Sequence, residues 1–386
     1  MWMLRLSVLV LMLCAASHTA YAQEDGSVVC WGNNNAGQSN VPSGVGTPEN
    51  PVVQVAAGAS HTIALLEDGS VVCWGWNQYG QCNVPSGLGN LENPVIQVAG
   101  GYYHSIALLE DGSVVCWGRN DYGQSNVPSG VGTPENLVVQ VTSGSSHTIA
   151  LLEDGSIACW GRNIEGQCDV PSGVGTPQNP VVQVDGGNYH TIALLEDGSV
   201  ACWGRNIEGQ CDVPSGVGTP QNPVVQVAGG SWHTIAVLED GLVVCWGRND
   251  FGQCNVPSGV GTPENRVFQV DGGGYHTIAL LENGSVACWG RNQYGQCVVP
   301  SGVGTPENPV VQIAGGFEHT IALLDVVCKR DGDITENGVV DGGDLGILLT
   351  LWGTDGKINT NADINGDGTI DGADLGLILI YWGTCP

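Results

Sequence analysis

The segment His61-Thr-Ile-Ala-Leu-Leu-Glu-Asp-Gly-Ser-Val-Val-Cys-Trp-Gly75 decides the fold of this chain. It holds two apolar runs rich in strand-forming residues, and Asp68-Gly69 lies between them. Two such runs around a short glycine-containing turn predict an antiparallel β-hairpin. A third strand is predicted over 51–56, and 77–81 predicts a turn into a short fourth strand. We therefore expect one four-stranded sheet per unit.

The same unit recurs along the chain with a constant period of 43 residues. Its histidine returns at His61, His104, His147, His190, His233, His276 and His319. Its Cys-Trp-Gly returns with the cysteine at Cys30, Cys73, Cys116, Cys159, Cys202, Cys245 and Cys288. A period of this length, built from hairpin units, indicates a repeat architecture in which neighbouring units share one core.

The two ends of the repeat region indicate a closed ring. The region begins inside a unit, at Glu24 to Cys30, and ends inside one, at His319 to Leu324. An open solenoid would instead need atypical capping units at its ends. We expect the N-terminal strand to complete the last unit, which closes a seven-bladed β-propeller over 23–326 and leaves no open sheet edge.

Two motifs of the unit carry a family resemblance. Trp-Gly-x-Asn-x-x-Gly-Gln stands at Trp117 to Gln124, and Gly-Gly-x-x-His-Ser-Ile-Ala-Leu stands at Gly100 to Leu108. With these motifs in seven copies, the region resembles the regulator of chromosome condensation family, and the resemblance implies a propeller. It also implies an exchange factor for a small GTPase in the eukaryotic founder, a partner that we do not expect here. The secreted bacterial propellers of the family, which bind proteins and in some cases inhibit enzymes, are the nearer comparison.

The N-terminus and the net charge point to export. Arg5, the apolar run Leu6 to Ala16 and Ala20-Tyr21-Ala22 follow the order of a signal peptide, predicted over 1–22 with Gln23 as the mature start. Cys14 follows Leu13 rather than a small residue, so we expect no lipid anchor, and no later run is long enough to span a membrane. The mature chain keeps 9 basic against 38 acidic residues. This charge repels nucleic acid, and we expect a secreted, extracellular or cell-surface protein.

Fourteen cysteines in an exported chain predict disulfides. Five units place a second cysteine nine residues after the first, which predicts five pairs within blades: Cys73 with Cys82, Cys159 with Cys168, Cys202 with Cys211, Cys245 with Cys254 and Cys288 with Cys297. Ser39 and Ser125 replace the second cysteine elsewhere, so Cys30 and Cys116 lack a local partner. Cys328 and Cys385 bracket the C-terminal segment, where they could form a sixth pair.

The residues shared by all units are interpreted as structural rather than catalytic or metal-binding. Seven histidines in a ring, one per blade and without a neighbouring second ligand, are interpreted as hydrogen-bonded structural residues rather than metal ligands. The seven tryptophans of Cys-Trp-Gly are expected in the blade core. A catalytic site should place one unusual histidine, serine or carboxylate on a single blade, and we expect none. The propeller is therefore interpreted as noncatalytic.

Positions that vary between units are where a specific function could lie. Two pairs vary most: the pair after the turn asparagine, such as Gln78-Tyr79, and the pair before each histidine, such as Tyr102-Tyr103. Aromatic residues concentrate there, and loop aromatics are common interface anchors; neutral variation of exposed turns is the alternative. The candidate binding residues are Tyr79, Tyr122, Phe251, Tyr294, Tyr103, Tyr189, Trp232 and Tyr275.

The composition after Asp325 changes to Asp, Asn and Gly, and two loops match the spacing of calcium loops. The second loop offers Asp363, Asn365, Asp367, the carbonyl of Thr369, Asp371 and Asp374, with Gly368 at the sharp turn. The first loop offers Asp333, Thr335, Asn337, the carbonyl of Val339, Asp341 and Asp344, and fewer charges predict a weaker site. An apolar stripe follows each loop, at Leu345, Leu348, Leu349 and Trp352 and at Leu375, Ile378, Leu379 and Trp382, which predicts one helix per loop.

Two loop-helix repeats of this kind resemble a type I dockerin, and we expect a small all-α, EF-hand-like calcium-binding domain over 327–386. The resemblance implies a cohesin-like partner in a polysaccharide-degrading assembly. Gly342-Gly343 and Gly372-Ala373 stand where cellulosomal dockerins often hold Ser-Thr, so surface anchoring is the alternative. The leading interpretation is a secreted scaffold that binds a protein or glycan through the propeller. Its rival is an enzyme inhibitor, or an enzyme acting on extracellular polysaccharide.

Overall fold

Residues 61–75 form the antiparallel hairpin that their sequence pattern predicts. The computed structural model describes residues 26–90, 92–306, 308–325, 334–335, 342–354, 362–364 and 368–380. Strand β3 (His61–Leu66) pairs antiparallel with β4 (Val71–Gly75), and Gly69 takes a φ of +80° in the turn between them. Glycine adopts this left-handed conformation without the strain that a side chain would add.

Seven antiparallel sheets of three strands surround a central channel. The inner strands are β2 (Val52–Ala57), β5 (Val95–Gly100), β8 (Val138–Ser143), β11 (Val181–Gly186), β14 (Val224–Gly229), β17 (Val267–Gly272) and β20 (Val310–Gly315). The middle strands are β3, β6 (His104–Leu109), β9 (His147–Leu152), β12 (His190–Leu195), β15 (His233–Leu238), β18 (His276–Leu281) and β21 (His319–Leu324). The outer strands are β4, β7 (Val114–Gly118), β10 (Ile157–Gly161), β13 (Val200–Gly204), β16 (Val243–Gly247), β19 (Val286–Gly290) and β1 (Ser27–Gly32). We number the blades 1 to 7 from β2 to β20.

The first strand closes the ring, as the broken unit predicts. Strand β1 pairs antiparallel with β21, from Ser27 opposite Leu324 to Gly32 opposite His319. Blade 7 is therefore assembled from both ends of the repeat region, and its inner strand β20 lies beside β2 of blade 1. This closure covers the sheet edge that an open array would expose.

The prediction of a fourth strand in each blade is wrong, because each sheet has three strands. After β4 the chain makes turns, in which Gly80 N donates to Asn77 O at 3.2 Å and Leu88 N donates to Pro85 O at 3.2 Å. Pro85 has no N–H group to give to a ladder, and the neighbouring N–H groups are used locally. The five predicted short-range disulfides are present here and fasten each turn to its outer strand, as Cys73–Cys82 does.

The core lies between blades rather than inside them. Every residue of β3 is buried, although strand side chains alternate between two faces. Ile63 and Leu65 pack against blade 2, and Ala64 and Leu66 pack against blade 7. The tryptophans of Cys-Trp-Gly are buried in the same clusters, as predicted. A blade alone would expose both faces of its middle strand, so the blades are stable only as a ring.

The described C-terminal residues contain the two predicted helices, α1 (Gly342–Thr350) and α2 (Gly372–Ile380). Leu348 and Ile378 are buried together with Ile334, Ala362 and Ile370. The predicted apolar stripe is only partly correct, because Leu349 and Trp352 are exposed; α1 ends at Thr350. The signal peptide, the Cys328–Cys385 pair and Trp382 lie outside the described residues. Within the described part, no helix has the length and apolarity needed to cross a membrane.

Candidate functional site

The propeller has two faces because successive strands of a blade run in opposite directions. The upper face carries the loops from inner to middle strands, such as 58–60, and the turns after the outer strands, such as 76–83. The lower face carries the hairpin turns, such as 67–70, and the segments that enter the inner strands, such as 88–94. The two pairs of variable positions therefore both lie on the upper face.

A ring of histidines supports the upper face from below. His61 Nε2 lies 3.1 Å from Ser105 Oγ in the next blade, and that hydroxyl donates to Gln81 O at 2.8 Å. The hydroxyl hydrogen is thus used, so the imidazole Nε2–H is the donor. The contact repeats around all seven blades. The histidines are accordingly structural and hydrogen-bonded, as the sequence predicts.

Burial keeps these histidines neutral. It lowers the pKa of His104, His190 and His319 to about 4, and of His61 to about 3, where the neighbouring histidines add to the effect. The imidazole of His61 packs on Gly58, where any Cβ would overlap with the ring. The repeated glycine three residues before each histidine is therefore required by packing, and the upper loops rest on a rigid layer.

A ring of glutamines joins the inner strands around the channel. Gln140 donates from Nε2 to Val184 O at 3.0 Å and accepts from Val184 N at 3.0 Å, so one side chain pairs with the backbone of the next blade. Gln312 makes the same two bonds to Val55 across the closure. Together the inner strands enclose a cavity of about 240 Å³.

Two carboxylates in this cavity depart from the repeat, which the sequence reasoning did not detect. Asp185 and Asp271 stand where four other units have alanine. Burial raises the pKa of Asp185, and burial together with Asp185 raises the pKa of Asp271 to about 7. Asp185 Oδ2 accepts from Gly229 N and Asp271 Oδ2 accepts from Gly315 N, both at 2.8 Å. These bonds join neighbouring blades, so the carboxylates serve as ties. Aligning the seven units column by column would have revealed both.

Aromatic side chains form a continuous band across the upper face. Successive ring centroids lie 5.1 to 5.5 Å apart along Tyr79, Tyr103, Tyr102, Phe317, Tyr275 and Phe251. The band begins on the outer turn of blade 1, passes the channel mouth and ends on the outer turn of blade 5. The structure thus brings together four of the eight predicted binding residues. Tyr102 and Phe317, which join the two halves at the centre, were not among them.

Arginines alternate with these rings, a feature that the sequence reasoning missed. One follows Cys-Trp-Gly in five units, as Arg119, Arg162, Arg205, Arg248 and Arg291. Arg162 lies 4.7 Å from the Tyr189 ring centroid and 5.4 Å from that of Tyr122. Arg291 lies 6.0 Å from the Tyr294 ring, so all eight predicted residues belong to one arginine–aromatic face. The chain has only 10 lysine and arginine residues, and five of them recur at the same position of the repeat. This recurrence was the signal in the sequence that could have revealed them.

The lower face is acidic by contrast. Its hairpin turns expose a ring of eleven acids: Glu67, Asp68, Glu110, Asp111, Glu153, Asp154, Glu196, Asp197, Glu239, Asp240 and Glu282. Arg266 lies among them and pairs with Glu282 at 3.3 Å. The negative charge of this ring of acids repels acidic partners and attracts basic ones. The two faces therefore suit partners of different chemistry.

In the C-terminal part, the structure places several predicted calcium ligands close together. Asp363 Oδ2 accepts from Gly368 N at 2.9 Å, and Gly368 has a φ of +89°. Asp374 is buried and accepts from the N–H groups of Ile364 and Asp371, both at 2.8 Å. Asp344 is buried likewise and accepts from Thr335 N. The remaining predicted ligands lie outside the described residues: Asp333, Asn337, Val339, Asp341, Asn365 and Asp367.

These features define the class of the protein: a closed seven-bladed β-propeller with an arginine–aromatic upper face. The Regulator of chromosome condensation (RCC1) repeat matches six segments of the chain, namely residues 52–81, 95–124, 138–167, 181–210, 224–253 and 269–296. The chain belongs to the RCC1-repeat family. No curated protein matches it in sequence.

Solved structures support the fold. Prp20p from Saccharomyces cerevisiae has a TM-score of 0.65 at 19% identity, over 82% of this chain and 95% of its own. Human WBSCR16 has a TM-score of 0.63 at 21% identity, over 78% of this chain and 98% of its own. The ectodomain of the Arabidopsis thaliana receptor kinase ACR4 has a TM-score of 0.52 at 21% identity, over 69% and 91%. At these identities the likeness concerns the fold.

Proposed function

We propose that the propeller is a noncatalytic protein-binding platform whose upper face receives the partner. The band of six aromatic rings from Tyr79 to Phe251 carries this proposal. Aromatic residues and arginine are enriched in the energetically important parts of protein interfaces. The relatives agree with this function, because Prp20p is described with binding properties toward Gsp1p and histones, and also in complex with Kap60.

The ring geometry favours a protein over a glycan as the partner. The interplanar angles along the band range from 44° to 69°, so the rings are tilted or edge to face toward one another and none is stacked in parallel. A sugar ring stacks on an open, flat aromatic face, whereas rings inclined to one another in this way present no common flat surface. Exposed aliphatic side chains stand on the same face outside the band, on the outer turns of blades 3 and 4, where Ile164 and Ile207 are exposed by 72% and 73%. Apolar, irregular relief of this kind suits a protein surface.

The second part of the proposal is that 327–386 is a dockerin-like, calcium-dependent attachment module. The described residues fit calcium: Asp363 Oδ1 is buried without a hydrogen-bond partner in the described part, and the glycine turn at Gly368 has the conformation such loops need. Asp363, Asn365, Asp367, the Thr369 carbonyl, Asp371 and Asp374 would hold one ion. The first loop would hold a second ion more weakly. Bound calcium would neutralise clustered carboxylates and stabilise the loops.

We propose that the protein is secreted, and that the module attaches it to a cohesin-like or surface protein. The five disulfides support an oxidising compartment. In this arrangement the tail fixes the chain at a surface or assembly, and the propeller presents its upper face to a second protein.

Joint replacement of Tyr79, Tyr122, Phe251 and Tyr294 by alanine tests the platform. All four aromatic side chains are exposed, so the propeller should stay folded without them. The matched control replaces Leu242 and Phe268, which are 45% and 44% exposed outside the upper face. We expect the upper-face variant to lose capture of secreted host proteins in a cross-linking pull-down, while the control captures them like the wild type. Equal capture by both variants would contradict the proposal.

A further inference from the structure

The cavity inside the ring of inner strands has one polar wall. At the fifth position of the inner strand, Thr142, Asp185 and Asp271 replace the alanine that blades 1, 2, 5 and 7 carry. At the sixth position, Ser143 stands where five blades have glycine. All four residues line the same cavity of about 240 Å³. The departures fall on blades 3, 4 and 6, so the opposite wall, from blades 7, 1 and 2, carries alanine at the level of the two carboxylates.

The two carboxylates bring negative charge into this cavity without a basic partner. Thr142 Oγ1 donates to Asp185 Oδ1 at 2.7 Å, and backbone N–H groups donate to the other carboxylate oxygens. In the described part of the chain, no basic side chain pairs with either residue. An ionised carboxylate offers about four lone-pair positions. Both residues keep part of their surface exposed in the cavity that they line, so acceptor positions remain open to a ligand there.

Ser143 points to a ligand independently of the acids. It lines the same cavity and is 9% exposed, and its Oγ has no hydrogen-bond partner among the described residues. A buried hydroxyl without a partner is unfavourable, and the other six blades avoid that cost with glycine or alanine. The hydroxyl can accept a hydrogen bond, as the carboxylates can. A hydrogen-bond donor in the cavity would therefore satisfy both.

The charges around the cavity favour a cationic donor. Burial and the charge of Asp185 raise the pKa of Asp271 to about 7, so the two ionised carboxylates repel each other, and a cation would relieve that repulsion. The eleven exposed acids of the lower face attract cations to that end of the channel. At the upper mouth, the rings of Tyr102 and Phe317 lie 5.2 Å apart. We therefore expect a cation to enter from the lower face.

The lining favours an organic cation over a metal ion. Calcium and magnesium take about six to eight oxygen ligands, whereas the described residues contain no group of three histidine, cysteine or acidic side chains placed to hold a metal. The glutamine oxygens along the cavity already accept from backbone N–H groups, as Gln140 Oε1 does from Val184 N. An ammonium group needs only a few acceptors for its N–H donors. Its aliphatic chain would also gain from contact with the alanines.

We propose that the polar wall of the channel binds a short aliphatic diamine in its doubly protonated form. One ammonium group lies on Asp185 and Ser143, and the other lies on Asp271. Two groups fit better than one because blade 5 stands between the two carboxylates, and its Ala228 offers an apolar surface to the linking carbons. This site is separate from the upper face and does not depend on the proposed platform.

The test is calorimetric titration of the full chain with 1,4-diaminobutane at pH 8, where Asp271 is ionised, and with calcium present to fill the proposed calcium loops. We expect saturable binding of one diamine and none of 1,4-butanediol, which has the same length but no charge. Asp185→Asn and Asp271→Asn should each weaken binding roughly 10- to 100-fold, because each removes a charged acceptor. Ser143→Gly should weaken it less. Asp250→Asn, an exposed acid of the upper face, is the matched control and should bind like the wild type.

A second measurement needs no variant in the cavity. In wild type labelled with ¹³C-aspartate, saturation with the diamine should lower the pKa of Asp271 from about 7, because a cation favours the ionised form, and butanediol should leave it unchanged. An Asp271 pKa that does not respond to the diamine would overturn the proposal, as would equal binding by Asp185→Asn and Asp250→Asn. A larger fall caused by calcium alone would assign the cavity to a metal ion instead.

Discussion

Nε2 of His319 lies 3.2 Å from Oγ1 of Thr62, which joins the last middle strand to the first across 257 positions of sequence. The six other histidines make the equivalent contact to a hydroxyl 44 residues ahead, at 3.0 to 3.1 Å. The junction between blades 7 and 1 is therefore built like every other junction. The stability of the whole ring depends on this closure.

Removal of residues 24–32 should destroy that stability. The deletion takes away β1, so β21 loses its outer partner and exposes an open edge to other molecules. We expect aggregation in size-exclusion chromatography and a loss of cooperative thermal unfolding. A rearranged chain with residues 24–32 placed directly after Asp325 is the control, and it should recover a monomer. A truncated protein that stays monomeric and unfolds cooperatively would contradict the closed ring.

The histidine ring predicts acid sensitivity. The folded-state pKa values lie at about 3 to 4, below the value near 6.5 of an unfolded histidine. The unfolded chain binds more protons in this window, so the stabilising effect is complete above pH 6.5 and is lost as the pH falls toward 4. Each histidine should contribute up to about 1.4 kcal/mol per pH unit to the slope of the unfolding free energy.

Urea unfolding of wild type and His147→Gln between pH 7 and 5 measures this slope. His147 is fully buried and bonds to Thr191, so the variant is expected to be less stable at pH 7. The pH slope of its unfolding free energy should nevertheless be smaller by the contribution of one histidine, which is up to about 1.4 kcal/mol per pH unit. The difference between the slopes is the readout, because it separates titration from lost packing. Identical slopes would show that His147 is protonated in the fold.

Asp271 should act in the opposite direction. Its folded pKa of about 7 exceeds the unfolded value of 3.8, so its proton stabilises the fold below pH 4 and this effect is lost as the pH rises through 7. Asp271→Ala introduces the residue that four other units carry at this position. We expect the variant to gain stability relative to wild type between pH 5 and pH 8, by at most ~1.4 kcal/mol per pH unit. Unfolding by urea at both pH values measures the gain. A relative stability that falls with pH would contradict it.

The calcium proposal predicts two sites of unequal affinity. Calorimetric titration of the full chain after chelation should resolve both, and Asp374→Asn should remove the stronger because that carboxylate organises its loop. Asp344→Asn should remove the weaker. Asp121→Asn, an exposed acid of the propeller, is the control and should leave both sites unchanged. Calcium binding by Asp374→Asn that equals the wild type would contradict the site at 363–374.

The sequence by itself determined the hairpin of each blade, the number of blades and the closure of the ring. The reason is periodicity: a hairpin repeated every 43 residues must bury both faces of its middle strand against neighbours that are its own copies. His61 and the paired cysteines follow from the same rule, because they recur at constant spacing. The fourth strand was predicted wrongly because the turn ahead of Pro85 satisfies its own hydrogen bonds.

Only the tertiary structure decided how the upper face is organised. Arg119 pairs with a carboxylate two residues ahead, Arg205 with one 40 residues behind, and Arg291 with one 27 residues ahead. The partner therefore depends on which side chains meet in space, and no constant spacing shows that Arg162 has no carboxylate partner among the described residues. The aromatic band is similar, because Tyr102 and Phe317 come from blades 2 and 7 and meet only after the ring closes. Contacts between unlike positions of different blades are set by the closed ring, and the spacing of the repeat does not reveal which side chains meet.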